Sequence, residues 1–116
     1  MWVANGKGGI MREIKFKARS LNGEWVFLRL IGSDSHIVEL STIRQYTGLK
    51  DKHKKEIYEG DIMLDKNSVV WIVSFGVGSF VATTMGETDC DSLYSVIDKE
   101  VEVIGNIYDN PELIKD

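Results

Sequence analysis

Cysteine, histidine and proline are nearly missing from this chain: one cysteine, two histidines and one proline among 116 residues. A lone Cys90 excludes an intramolecular disulfide. With only His36 and His53 as nitrogen partners it excludes the usual zinc-finger spacings as well, so no metal ligands are assigned. The neighbours of Cys90, Asp89 and Asp91, offer no activating cation, and it reads as a bystander thiol. No apolar run approaches the roughly 20 residues that a membrane helix needs. The longest, such as Val69-Val70-Trp71-Ile72-Val73, are strand-sized. The N-terminus lacks the apolar core of a signal peptide, which makes the cytoplasm the expected location and a membrane partner unexpected.

What is present suits one compact domain or two small lobes. Hydrophobic residues make up 43% and charged residues 28%, within the range of folded soluble chains. The net charge of −4 is unevenly spread. Residues 1–85 carry 12 Lys+Arg against 9 Asp+Glu, and residues 86–116 carry 2 against 9. Such a split can orient a partner or a second copy of the chain, although solvated faces of opposite sign also produce it.

Residues 1–10 are glycine-rich and aperiodic, and they read as an N-terminal extension or an expression remnant outside the fold. Gly6-Lys7-Gly8-Gly9 lacks the spacing of a phosphate loop. From Met11 onward the periodicity is that of strands. Ile14, Phe16 and Ala18 alternate with Lys15, Lys17 and Arg19, and Asn22-Gly23 predicts a two-residue hairpin turn into a strand over residues 24–31. Gly32-Ser33-Asp34-Ser35 predicts a further turn. Residues 36–46 predict a strand, with a short helix over part of them as the alternative. Residues 47–60 predict an ordered loop exposing Lys50, Lys52, Lys54 and Lys55.

After Glu59 come five expected short strands: 60–64, 68–75, 79–84, 93–97 and 101–107. A polar loop is expected over 85–92 and at most one helical turn after Asn110. Five strands at this spacing predict a small antiparallel barrel with Trp71, Phe75, Phe80, Val81, Ile97, Val103 and Ile107 in its core. The step Glu59-Gly60-Asp61-Ile62 is a common entrance to SH3-like barrels. The expected division is therefore a β-rich, possibly α+β, lobe over 11–58 and a barrel over 59–116.

Three stretches carry a resemblance: Met11-Arg12-Glu13-Ile14-Lys15-Phe16-Lys17-Ala18, the segment from Gln45 to Ile62, and Val103-Ile104-Gly105-Asn106-Ile107-Tyr108-Asp109-Asn110-Pro111-Glu112-Leu113. Together they resemble the YopX family of phage and prophage proteins. The family often has Asn-Gly after the position of Lys52; this chain has His53-Lys54, so its turn is made differently. The resemblance implies a mainly β protein with an SH3-like C-terminal barrel and a phage or prophage origin within a bacterial host cell. It supplies no catalytic residues.

The signature residues have physical readings of their own. Gly48, Gly60 and Gly105 fit positive φ or close backbone approach. Tyr46, Tyr58 and Tyr108 fit inward-packed rings with hydroxyls near the surface. Asp61 fits a cap on backbone N–H groups.

Catalytic chemistry has little to stand on. A nucleophile–base pair needs a histidine held by its fold, and both histidines lie in polar, surface-like stretches. Glu59 with Asp61, and Asp89 with Asp91, are carboxylate pairs without a pocket signal. No catalytic residue, cofactor or enzymatic activity is expected. The expected function is a protein-interaction module that pairs with a host or phage protein or with a second copy of itself. Its candidate binding surface is Tyr46, Lys50, Lys52, Lys54, Lys55 and Tyr58. The alternative is a nucleic-acid-binding module using the lysine-rich loop 50–55, aided by Lys15, Lys17 and Arg19 on one strand face. An isoelectric point near 5.2 weighs against that alternative.

Overall fold

The computed structural model describes residues 2–4, 11–28, 38–76, 78–84 and 90–114. His36, the turn expected at 32–35, the Gly6–Gly9 stretch and most of the polar loop at 85–92 lie outside the described residues. The protein is mainly β and divides into two compact units, residues 1–48 and 49–116. The division falls after Gly48 rather than after Tyr58, because Ile57 is fully buried in the core of the second unit.

In the first unit, β1 (Trp2–Ala4) pairs antiparallel with β2 (Met11–Glu13). β3 (Phe16–Arg19) and β4 (Trp25–Leu28) form the hairpin expected around Asn22-Gly23, in the register Arg19↔Trp25 to Phe16↔Leu28. Its turn is not the two-residue type. Gly23 N–H donates to Ser20 C=O, Ser20 N–H donates to Glu24 C=O, and only Gly23 has positive φ, at 86°. This is a three-residue turn closed by a bulge, which needs one left-handed residue where the two-residue turn needs two. A 3-10 turn, Leu40–Thr42, precedes β5 (Arg44–Lys50), so the helical alternative holds for part of 36–46. β5 pairs with β3 through Lys17↔Arg44 and Phe16↔Gln45.

One face of these strands interleaves cations and rings. Arg44 lies 4.7 Å over the Trp25 ring, Lys17 and Arg19 each lie 5.9 Å over it, and Lys15 lies 4.9 Å over Tyr46 and 5.6 Å over Phe27. Each such contact contributes about 0.5–1 kcal/mol at an exposed site.

In the second unit the chain leaves β5, turns through residues 51–55 and returns as β6 (Glu56–Tyr58). The stretch expected to be a loop is thus a β-hairpin. β7 (Asp61–Leu64), β8 (Val70–Gly76), β9 (Ser79–Thr84) and β10 (Cys90–Ser92) form an antiparallel meander, and β11 (Glu102–Asn106) returns to pair with β7. The sheet order is β10-β9-β8-β7-β11. The five antiparallel strands and the mainly β class agree with expectation; among the described residues β10 and β11 are the ends of the strand order, and no pairing between them that would close a barrel occurs there.

Two local expectations are corrected. Residues 90–92 are a strand, not loop. Leu93–Ile97 is one turn of α-helix, α1, not a strand. Ser92 Oγ accepts the Tyr94 N–H as an N-cap, and Leu93 and Val96, three residues apart, lie on the same buried face. In so short a segment, apolar residues three apart distinguish a helix from a strand only weakly.

The core gathers Ile57, Met63, Trp71, Val73, Phe80, Ala82, Leu93, Val96 and Val101, with Ile97 and Val103 packed against it. Phe75, expected inside, is 51% exposed. It sits in the last pairs before the β8–β9 turn and meets Phe80 edge-on at a centroid distance of 5.0 Å.

Candidate docking surface

The hairpin turn at 51–55 is organised by one carboxylate. Asp51 Oδ1 accepts the backbone N–H groups of His53 (2.8 Å) and Lys55 (2.9 Å), and Oδ2 accepts the Val103 N–H (2.9 Å). The backbone closes the turn with Asp51 N–H donating to Lys55 C=O and Lys54 N–H donating to Asp51 C=O. Lys54 takes φ 66° to do this. That is where a turn of this kind most readily uses glycine, and it is how His53-Lys54 replaces Asn-Gly.

Asp51 is 7% exposed. Burial alone would raise its carboxyl. The hydrogen bonds from Val103, Lys55 and His53, together with the nearby His53 ring, outweigh burial and hold it below the ordinary value of 3.8.

The turn at 65–69 repeats this device. Asp65 Oδ1 accepts from the N–H groups of Asn67 and Val69, Oδ2 accepts from Trp71 Nε1 at 2.9 Å, and Ser68 takes φ 65°. Burial would again raise the carboxyl. The Trp71, Val69 and Asn67 hydrogen bonds and the charge of Lys99 lower it instead.

Clamping the turn backbone fixes where the lysines stand. Lys50, Lys52, Lys54 and Lys55 are all exposed, and none forms an ion pair among the described residues. His53, exposed beside them, approaches Glu102 with Nε2 3.1 Å from the carboxylate.

The two tyrosines of the predicted surface are placed differently. Tyr58 is 2% exposed, its hydroxyl donates to Glu56 and its N–H donates to Asp61, so Asp61 does cap backbone as expected. Tyr46 is 6% exposed and belongs to the first unit, under Lys15. Gly48 and Gly60 have φ of 86° and 88°, and a β-carbon on Gly105 would stand 2.5 Å from Asn110 Oδ1, as their expected roles require. Cys90 is exposed. No group of three or more His, Cys, Asp or Glu able to hold a metal ion occurs among the described residues.

Sequence reasoning missed Asp51 and Asp65 as the organisers. The signal was present as a repeat, Asp51-Lys52-His53-Lys54 and Asp65-Lys66-Asn67-Ser68, since an aspartate opening a polar four-residue run is a turn signature.

A family model described as YopX protein matches residues 10–115. No curated protein matches the chain. Among solved structures the chain is similar to protein EF1440 from Enterococcus faecalis, with a TM-score of 0.65 and 23% identity, over 90% of this chain and 99% of that one. At that identity the likeness speaks for the fold.

Proposed function

This chain belongs to the YopX family, and from that premise we propose that it is a phage- or prophage-encoded accessory protein, cytoplasmic in a bacterial host, working as a non-enzymatic protein-interaction module. The observation that supports this reading is the lysine hairpin. Four exposed cations stand on or beside a turn whose buried Asp51 carboxylate accepts two N–H groups of the turn and one of β11. A turn held this way loses little further backbone freedom on binding, so its charge is available for recognition at low entropic cost. The same lysines support the second reading, a nucleic-acid-binding module, because lysines also neutralise phosphates.

A tagged pull-down from infected host cells, with and without nuclease and read by mass spectrometry, separates the two. The module reading expects protein partners that survive nuclease and disappear when Lys50, Lys52, Lys54 and Lys55 are all replaced by glutamate. Recovery that collapses on nuclease treatment transfers the function to nucleic acid.

A further inference from the structure

Three segments distant in sequence meet at one end of the second unit's sheet. The hairpin tip lies along residues 101–103, with Lys52 N–H donating to Val101 C=O at 3.0 Å and Val103 N–H to Asp51 at 2.9 Å. The 65–69 turn lies against the start of the same stretch, with Lys66 N–H donating to Lys99 C=O at 3.1 Å. Lys66 and Lys99 therefore stand at the same end of the unit as the hairpin lysines. Residues 49–116 carry 7 Lys+Arg against 14 Asp+Glu, and Lys50, Lys52, Lys54, Lys55, Lys66 and Lys99 lie on or beside these three segments.

Backbone conformation marks the same three segments. The non-glycine residues with positive φ among the described residues are Lys54, Ser68 and Glu100, one on each segment. Glycine adopts this conformation freely and other residues resist it. Strain of this kind collects where a side chain is kept for a purpose other than folding.

We infer that this end of the unit is a single docking surface for an acidic segment of a partner protein, and that Lys66 and Lys99 belong to it together with the hairpin lysines. The inference rests on the interaction-module reading and names the chemistry of the partner. Charge favours a short acidic segment over a nucleic acid. The unit as a whole carries twice as many acidic as basic residues, and at physiological salt charges act over about 8 Å. A long polyanion extending past the lysines would meet a unit of net negative charge, whereas a short segment ends on the patch. Two pairs lie inside the patch, Lys66 with Glu100 at 4.0 Å and His53 with Glu102 at 3.1 Å, and an incoming carboxylate would compete with Glu100 for the exposed Lys66.

The test uses the full chain and two fluorescein-labelled probes of similar charge, a decaglutamate peptide and single-stranded dT10, followed by fluorescence anisotropy at 50 and 200 mM salt. The peptide is expected to bind more tightly than dT10 and to weaken at the higher salt. K66Q/K99Q, whose Lys99 is half-buried, and K52Q/K54Q are each expected to weaken the peptide about fivefold, as the loss of two solvent-screened charge contacts implies. Lys54→Gly is expected to bind less tightly while unfolding at a higher urea concentration, a combination that a purely structural lysine would not give.

Unchanged binding by K66Q/K99Q, with K52Q/K54Q weakened, confines the surface to the hairpin and overturns the inference while leaving the module reading intact. Tighter binding of dT10, or no binding of the peptide, overturns the acidic-segment partner. The pull-down then still judges the module independently.

Discussion

Replacing Asp51 removes the carboxylate that ties the turn of the lysine hairpin to the Val103 N–H of β11. In Asp51→Ala the N–H groups of His53, Lys55 and Val103 all lose their acceptor. Each hydrogen bond to a charged group contributes about 1.5–3 kcal/mol, but the tip is at the surface and water reaches part of what is exposed, so the expected loss is about 3 kcal/mol rather than the full sum. Asp51→Asn keeps a carbonyl oxygen for His53 and Lys55 and turns an amide donor toward the Val103 N–H. It should cost about 1–2 kcal/mol.

The two substitutions should also differ from wild type in pH dependence. The folded carboxyl of Asp51 lies below its unfolded value. Its contribution is therefore fully present above about pH 4 and is lost as pH falls through the lower, folded value. Urea unfolding followed by tryptophan fluorescence, at pH 7 and at pH 3, measures both effects. The gap between wild type and Asp51→Asn should be widest at pH 7 and should narrow at pH 3. A gap below about 0.5 kcal/mol at pH 7, or one of the same size at both pH values, refutes the reasoning, because the carboxylate would then not be holding the turn.

Further outcomes follow from the same end of the unit and its surroundings. Ser68→Gly relieves a left-handed serine and should stabilise the fold by about 0.5 kcal/mol net of the chain entropy of glycine, seen as a raised urea midpoint with an unchanged slope. Trp71→Phe leaves Asp65 Oδ2 without its indole donor and should cost about 1–2 kcal/mol in the same assay. Gly105→Ala drives a methyl into Asn110, whose carbonyl is tied to the Asn106 N–H at 3.2 Å and cannot swing away freely. A loss of about 1–3 kcal/mol is expected there, and an alanine tolerated without loss would show that the Asn110 contact is not fixed.

What the sequence made legible, and what it hid, follows from how local each cause is. Strands β8 and β9 were readable because alternation within a few residues places Trp71, Val73, Phe80 and Ala82 on one face. The glycines at 48 and 60 were readable because a positive φ is a property of one residue. Helix α1 was misread because five residues hold too little periodicity, and its identity depends on the Ser92 cap and on the core that buries Leu93 and Val96. The lysine hairpin was readable as charge but not as structure. Its firmness comes from Val103, 52 residues downstream of Asp51, and no local pattern contains that distance. Lys66 and Lys99 were invisible as neighbours of the hairpin for the same reason.

The way β11 is finished constrains how a partner can approach it. An edge strand exposes backbone N–H groups that invite another strand to pair. Here the Val103 N–H is taken by Asp51 and the Asn106 N–H by Asn110, one near each end of β11, and the bulge between Val103 and Gly105 breaks the regular spacing between them. Strand addition along this edge would have to displace two side-chain acceptors and follow an irregular ladder. A partner arriving at this end of the unit instead meets the side chains of the turns. Those are lysines held in place by the same carboxylate that closes the edge. Closing the backbone and presenting the charge are thus one structural act, and Asp51→Asn should weaken both, loosening the tip in hydrogen exchange at His53, Lys55 and Val103 while reducing its affinity for an acidic peptide.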